Sequence, residues 1–284
     1  MQPYSKHADV PVYRIDLQYN GAPFHGWQSQ PSKRGVQNYL ESALALMLKH
    51  PVQAIAASRT DTGVHAEHQV AIFRTPVPFD LARWLRILYG LLPESIGVSS
   101  IQEVSRGFHP AHDSTGKAYR YRLWCGPTRS PLVAPYVWQI FADCDIGKLR
   151  AAAQGFIGTH DFTSFCAADS SAKSKVRTIV ELQVHEQGPL VDIWLSGHGF
   201  LKQMIRIMVG TLVDIGVGMR PAAAVKDLLV LGDRRRASRT APAQGLSLVE
   251  VFYDGLPPLA ELQARIKEGF AVRLPSGSGP SKVS

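Results

Sequence analysis

Cysteine is scarce in this chain: Cys125, Cys144 and Cys166 are the only three in 284 residues. Their odd number, wide spacing and lack of a Cys-x-x-Cys pair argue against a disulfide framework or a zinc site, so they are expected to be reduced packing residues. Long apolar runs are missing too. None approaches the roughly 20 residues that span a bilayer, and the opening Met1-Gln2-Pro3-Tyr4-Ser5-Lys6-His7 lacks the apolar core of a signal peptide. A cytoplasmic location is the expectation. Acidic residues are in deficit, 23 against 31 Lys plus Arg, for a net charge of +8, which points to a polyanion more readily than to a neutral small molecule. Tandem repeats are absent. Ser114-Thr115-Gly116-Lys117 has the tail of a phosphate-binding loop, but that motif needs Gly where Ala111 stands, and no nucleotide site is expected.

What is present describes a globular protein. Hydrophobic residues make up 45% of a chain long enough for two packed domains or one large one. After a polar lead-in over residues 1–10, Tyr13, Ile15, Leu17 and Tyr19 alternate with Arg14, Asp16 and Gln18, which predicts a half-buried strand. Asn20-Gly21-Ala22-Pro23 is turn chemistry. Phe24 to Gln30 then places two aromatics among polar side chains, either as a packed loop or as a loop beside an RNA site. Val36, Tyr39, Leu40, Ala43, Leu44, Met47 and Leu48 predict a helix stopped by Pro51. Leu81, Trp84, Leu85 and Leu88 predict a second helix, followed by a strand through Ile101 and Val104. Beyond a candidate boundary at Phe108–Asp113, Tyr119–Trp124 predicts a strand with Tyr136–Ile140 as its hairpin partner. Leu149, Ala152, Ala153, Phe156 and Ile157 suggest a helix closing at Gly158; His160-Asp161 then reads as a helix cap with packed phenylalanines rather than as part of a catalytic dyad. Ala168–Lys175 reads as a mobile loop. Two strands follow, through Val180, Leu182 and Val184 and through Val191, Ile193 and Leu195. A helix from Phe200 to about Val217 carries the apolar stripe Leu201, Met204, Ile205, Met208, Val209, Leu212 and Val213. A short helix after Arg220-Pro221, a strand over Leu248–Tyr253 and a disordered tail from Arg273 complete the chain.

Three stretches carry chemistry. In Ser58-Arg59-Thr60-Asp61-Thr62-Gly63-Val64-His65-Ala66, a carboxylate sits two residues from a guanidinium on a loop bounded by apolar segments. The cation and the donors of a tight turn would favour its ionised form, and Gly63 permits the sharp backbone path; an ordinary polar turn with a solvated Asp–Arg pair fits these residues equally well. In Tyr119-Arg120-Tyr121-Arg122-Leu123-Trp124, alternation separates a face with Tyr119 and Tyr121 from a basic one. Such a sheet holds either core tyrosines with a solvated arginine face or aromatics on which unpaired bases stack. Lys202 and Arg206, four apart, share a flank of the predicted helix. Arg234-Arg235-Arg236 with Arg239 is the densest basic run, able to neutralise phosphates or to remain solvated surface.

These stretches resemble the tRNA pseudouridine synthase A (TruA) family. SRTDTGVHA with Gln69-Val70-Ala71 is similar to the family's GRTDAGVHA.GQVA, YNGAPFHGWQSQ to YDG..F.GWQ.Q, and Lys117-Ala118-Tyr119-Arg120-Tyr121 to K.YRY. GTHDFTSF, GHGFLKQMIRIMVGTL and TAPAQGL are similar to GTHDF.SF, GNGFL..MVRNIVGTL and TAPA.GL. The family's LN..LP.DI.V and FHAR also have counterparts, with Tyr89 for asparagine in the first and His112 for arginine in the second, and His198 and Ile207 replace asparagines of the GNGFL..MVRNIVGTL stretch. The resemblance implies an α+β pseudouridine synthase fold: two related halves with antiparallel sheets joined around a central cleft, helices on the outer face. The halves would be residues 11–113, carrying the Asp61 loop, and 114–256, followed by a C-terminal helix and tail over 257–284. The implied activity converts uridine to pseudouridine at positions 38, 39 and 40 of the tRNA anticodon stem-loop, with no cofactor, by a homodimer. Asp61 would be the catalytic carboxylate, as nucleophile at C1′ or as base, with Arg206, and Arg59 nearer in sequence, holding it. Tyr119 would stack the uracil, Leu246 pack against it and Lys202 line the substrate side. Two rivals stand beside it. One is a silent tRNA-binding or tRNA-folding protein on the same scaffold. The other is an aspartic protease through Asp61-Thr62-Gly63, whose two carboxylates would share a proton.

Overall fold

A computed structural model of the chain describes residues 10–78 and 80–268. The lead-in before Val10 and the disordered tail expected from Arg273 lie outside the described residues. The first half runs β1 (Val12–Tyr19), α1 (Val36–Leu48), β2 (Ile55–Ala56), β3 (His65–Arg74), α2 (Leu81–Leu91) and β4 (Ile96–Val104). The second runs β5 (Gly116–Cys125), β6 (Trp138–Ile140), α3 (Ile146–Ala153), β7 (Gly158–Asp161), β8 (Val176–Gln187), β9 (Leu190–Gly197), α4 (Met204–Gly216), α5 (Ala224–Leu231), β10 (Leu246–Phe252) and α6 (Leu259–Glu268).

The strands form one sheet in the order β4-β1-β3-β10-β5-β9-β8-β7, with β2 on β3 and β6 on β5. Antiparallel pairs build each half. The halves meet where β10 lies parallel to β3, Ser247 opposite His65 and Leu248 opposite Ala66. This is the expected pair of antiparallel units in one sheet. Period-two alternation sends Tyr13, Ile15, Leu17, Tyr121 and Leu123 to the face covered by α1 to α5, in one continuous apolar core. Ala118 and Trp194 point the opposite way, into a smaller cluster with Leu259 and Leu262 of α6.

Several local features differ from expectation. Trp138–Ile140 pairs with β5 in parallel rather than as a hairpin, because the chain crosses back through a 3-10 turn at Ala134–Tyr136 before pairing. Gly158–Asp161 is an edge strand on β8. His160-Asp161 does not cap a helix; Asp161 instead closes a local turn, its Oδ1 accepting from the Thr163 N–H at 2.8 Å, while Phe156, Phe162 and Phe165 pack together in the core. The helix expected from Phe200 begins at Met204, because Gln203 adopts the left-handed conformation with φ 61°. It is buried all round rather than striped, and Arg206 is its one residue outside the buried set. The basic face of β5 is not solvated either. Arg120 is buried against Glu67 at 2.6 Å and under the Trp194 ring, and Arg122 pairs with Asp192.

On that same face a charge cluster ties the seam together. His68 lies 3.5 Å from Asp16 of β1 and 3.0 Å from Glu250 of β10, with Arg14 on Asp16 and Arg265 of α6 on Glu250. Burial alone would lower the His68 pKa, but the two carboxylates outweigh it and push it up to about 9. A raised folded-state pKa gives stability that is complete below the unfolded value near 6.5 and is lost as pH climbs through the folded value. The His68 contribution should therefore fall by on the order of 3 kcal/mol between pH 6.5 and 10. Melting profiles of His68→Gln should lack this component. The difference between the wild-type and variant profiles measures it, because burial holds Lys117 down at about 8 and shifts total stability the other way over the same range.

Candidate active site

Residues 57–64 join β2 to β3 and are held from all sides. Ala57 N–H donates to Val70 O at 2.8 Å and Trp27 N–H to Thr60 O at 3.0 Å. The Gln69 amide donates to Ser58 O at 2.7 Å, Lys117 Nζ to Ala57 O at 2.7 Å, and the Tyr19 and Thr60 hydroxyls bond at 2.8 Å. Gly63 turns the chain with φ 80°, in the region that a side chain rarely tolerates. Phe24 and Trp27 are buried, at roughly 1.5–3 kcal/mol for a side chain such as Phe24. The aromatic loop before α1 is thus both packed and a brace for the Asp61 loop.

Asp61 meets Arg206 across the seam. Arg206 Nη1 donates to Asp61 Oδ2 at 2.9 Å, and Arg206 Nε donates to Ala241 O at 2.8 Å. The guanidinium spans two acceptors in a fixed fork, so neither it nor the carboxylate is free to swing. Gly210 makes this possible one turn along α4. A Cβ there would lie 2.0 Å from Arg239 O, so only glycine lets the 239–241 segment close on the helix. The partner of Asp61 is a guanidinium, not the second carboxylate that protease-type proton sharing needs.

Tyr119 stands beside this pair. Its hydroxyl bonds Ser58 Oγ at 2.8 Å and its ring meets Phe200 edge-on at 5.0 Å. Burial pushes the phenol up to about 12, the Ser58 bond opposing and the Asp61 charge adding to it, so it stays protonated at neutral pH. Leu246 opens β10 opposite Tyr121 and is buried. The structure therefore brings Asp61, Arg206 and Tyr119 to one place at the seam and sets Leu246 at the strand start beside it. It does not bring the other two. Arg59 is exposed and has no bonded partner among the described residues. Lys202 precedes α4 rather than sharing its flank, and pairs with Asp169 at 2.6 Å in solvent. Of the basic run, Arg234 bonds Ser238 O and Thr240, Arg235 pairs with Asp233, and Arg239 lies over the Trp138 ring.

A family model described as tRNA pseudouridine synthase matches residues 152–254. A tRNA pseudouridine synthase A of Myxococcus xanthus is 43% identical over 250 residues, covering 88% of this chain and 94% of the relative. The proteins of that name from Geotalea uraniireducens and Bacillus subtilis are 41% and 40% identical, covering 84% and 85% of this chain and 98% of each relative. The chain belongs to the tRNA pseudouridine synthase A family. Its departures from the family pattern fall into different surroundings. Ile207 is fully buried in α4, while Tyr89 on α2 is 89% exposed. His198 bonds Thr115 O at 2.8 Å, and His112 stacks on His109.

Ser58, His65, Gln69 and Lys117 brace the site, and their supporting roles are not legible in sequence. Each acts on a partner far along the chain, Ser58 on Tyr119 and Lys117 on Ala57, and pattern reading carries no signal for such pairs.

Proposed function

We propose that this chain converts uridine to pseudouridine at positions 38, 39 and 40 of the tRNA anticodon stem-loop, with Asp61 as the reacting carboxylate. Membership of the tRNA pseudouridine synthase A family gives the reaction class, isomerisation of a tRNA uridine. The observation that carries the residue assignment is the Asp61–Arg206 ion pair beside Tyr119 at the seam.

The reaction breaks the bond between C1′ and N1, turns the base in its pocket and joins C5 to C1′. Substrate and product are isomers, so no oxidant or energy donor enters the balance. Extruding the base costs a few kcal/mol, offset by stacking on Tyr119, about 1–3 kcal/mol, and by phosphate contacts. Arg59, exposed on the same loop as Asp61, is the nearest free cation among the described residues for a backbone phosphate, and Lys202 could serve only by exchanging Asp169 for the RNA. Arg206 keeps Asp61 ionised and aimed, whether it attacks C1′ or removes a proton. Tyr119, protonated at neutral pH, supports the base as a stacking surface and hydrogen-bonding group. Residues 11–113 and 114–256 act as the two halves of the cleft, and the working form is a cytoplasmic homodimer.

The test is incubation of the purified protein with unmodified tRNA transcripts bearing uridines at 38, 39 and 40, read by carbodiimide primer-extension mapping. New stops at those positions are expected. Binding without stops at stoichiometric enzyme would favour a silent binding protein on this scaffold.

A further inference from the structure

His65 opens β3 four residues after Asp61 and joins three segments that are distant in sequence. Its Nδ1 lies 3.0 Å from the backbone N of Gly21, in the turn after β1. Its Nε2 lies 3.1 Å from Gln244 O, in the 3-10 turn Ala243–Gly245 that leads into Leu246. A backbone N–H can only donate, so Nδ1 must be the acceptor. That fixes the neutral tautomer with the proton on Nε2, donated to Gln244 O. The imidazole thus closes a bridge from the first half of the sheet to the second at the point where β3 and β10 run side by side.

We infer that His65, as the neutral Nε2–H tautomer, is a positioning residue that locks the Asp61 loop to the segment carrying Ala241 and Leu246. The inference rests on the proposed role of Asp61. The lock matters because Asp61 and its cation come from opposite sides of the seam. Arg206 is bonded on both its backbone and its side chain to Ala241, and Ala241 lies three residues before Gln244. A shift of the 241–246 segment relative to the loop would carry the guanidinium away from the carboxylate. Only two register pairs join β3 to β10, so the backbone ladder alone is a short hinge.

The bridge is sensitive to proton charge. Protonating Nδ1 turns the acceptor facing the Gly21 N–H into a donor and breaks that bond. The groups facing the ring are the Tyr136 ring and the Pro135 carbonyl from the 3-10 turn at Ala134–Tyr136, the Gly21 and Gln244 backbone, and Glu67 of β3, which is itself paired with Arg120. Burial lowers the His65 pKa, outweighing the Gln244 and Pro135 bonds and the Glu67 charge that raise it. The neutral bridge is therefore complete above the unfolded value near 6.5 and is lost only as pH falls through the lower folded-state value.

The test compares wild type, His65→Gln, His65→Phe and Asp61→Asn in tRNA pseudouridine formation, with melting temperatures for each. His65→Phe should lower kcat ~10²-fold, the cost of a small misplacement at a reacting centre, with KM for tRNA unchanged. His65→Gln, which retains an amide donor and acceptor, should recover most of that loss. It should also be less sensitive than wild type to acidification carried down through the folded-state titration of His65, below pH 6.5. Full kcat in a folded His65→Phe, or an unchanged acid sensitivity in His65→Gln, would overturn the inference while the Asp61 reading stands. Activity surviving in Asp61→Asn would instead remove the reading on which it rests.

Discussion

Asp61→Asn should lower kcat for tRNA pseudouridine formation by ~10⁴-fold, the upper end of what one positioned acid–base group supplies. Affinity for tRNA should stay within about threefold, under 1 kcal/mol. The asparagine is nearly isosteric and its amide oxygen can still accept from Arg206 Nη1, which now bonds the carboxylate at 2.9 Å. What is lost is the charge and the nucleophilic or basic oxygen. The loop is fixed by bonds to Tyr19, Trp27, Gln69 and Lys117, so it cannot rearrange to offer another group. For the same reason Asp61→Glu is not a mild change. An added methylene moves the carboxylate by about 1 Å or more, which costs ~10²-fold when reacting atoms must be aligned. Single-turnover rates with saturating enzyme separate these effects from binding. An asparagine variant retaining more than about a hundredth of the wild-type rate would assign the essential step elsewhere, since that is below the loss expected of such a group.

Much of this arrangement is legible in the amino-acid sequence, for reasons that differ by element. β1 and α1 carry their apolar core side chains mainly on one face, so a period of two or 3.6 appears in those residues even where the other face is covered as well, and the pattern reports the fold directly. The Asp61 loop is legible through its resemblance to the family motif rather than through residue type, since a carboxylate and a guanidinium two residues apart on a turn fit a solvated pair equally well. α4 is legible as a helix but not as a buried one, since its stripe continues round the whole cylinder and its start depends on one left-handed residue, Gln203. β6 and β7 are too short, at three and four residues, to show a period. The arginines show the limit most plainly. Arg59 is two residues from Asp61 in sequence but exposed, whereas Arg206 is 145 residues away and bonded to it. Arg120 and Arg122 read as solvated because Glu67 and Asp192 lie on other strands. Pairing across strands is decided by register, which one segment's composition does not encode.

Arg206→Met should lower kcat by ~10²- to 10³-fold. Removing one member of a partly buried, hydrogen-bonded charge pair costs about 2–5 kcal/mol, and each 1.4 kcal/mol is tenfold. The loss has two parts, because the same guanidinium orders Asp61 and the Ala241 carbonyl at 2.8 Å. Arg206→Lys keeps the charge but not the planar fork that serves both acceptors, and should fall between wild type and Arg206→Met. Unfolding is not the expected cause. The rest of α4 is buried among apolar neighbours and Arg206 alone lies at its edge, so Met should cost no more than about 0.5–3 kcal/mol of stability. The decisive comparison is the double variant. If Arg206 acts through Asp61, Asp61→Asn with Arg206→Met should be no slower than Asp61→Asn alone, because the charge that Arg206 orders is already gone. Losses that multiply would mean that the guanidinium also acts on the substrate directly.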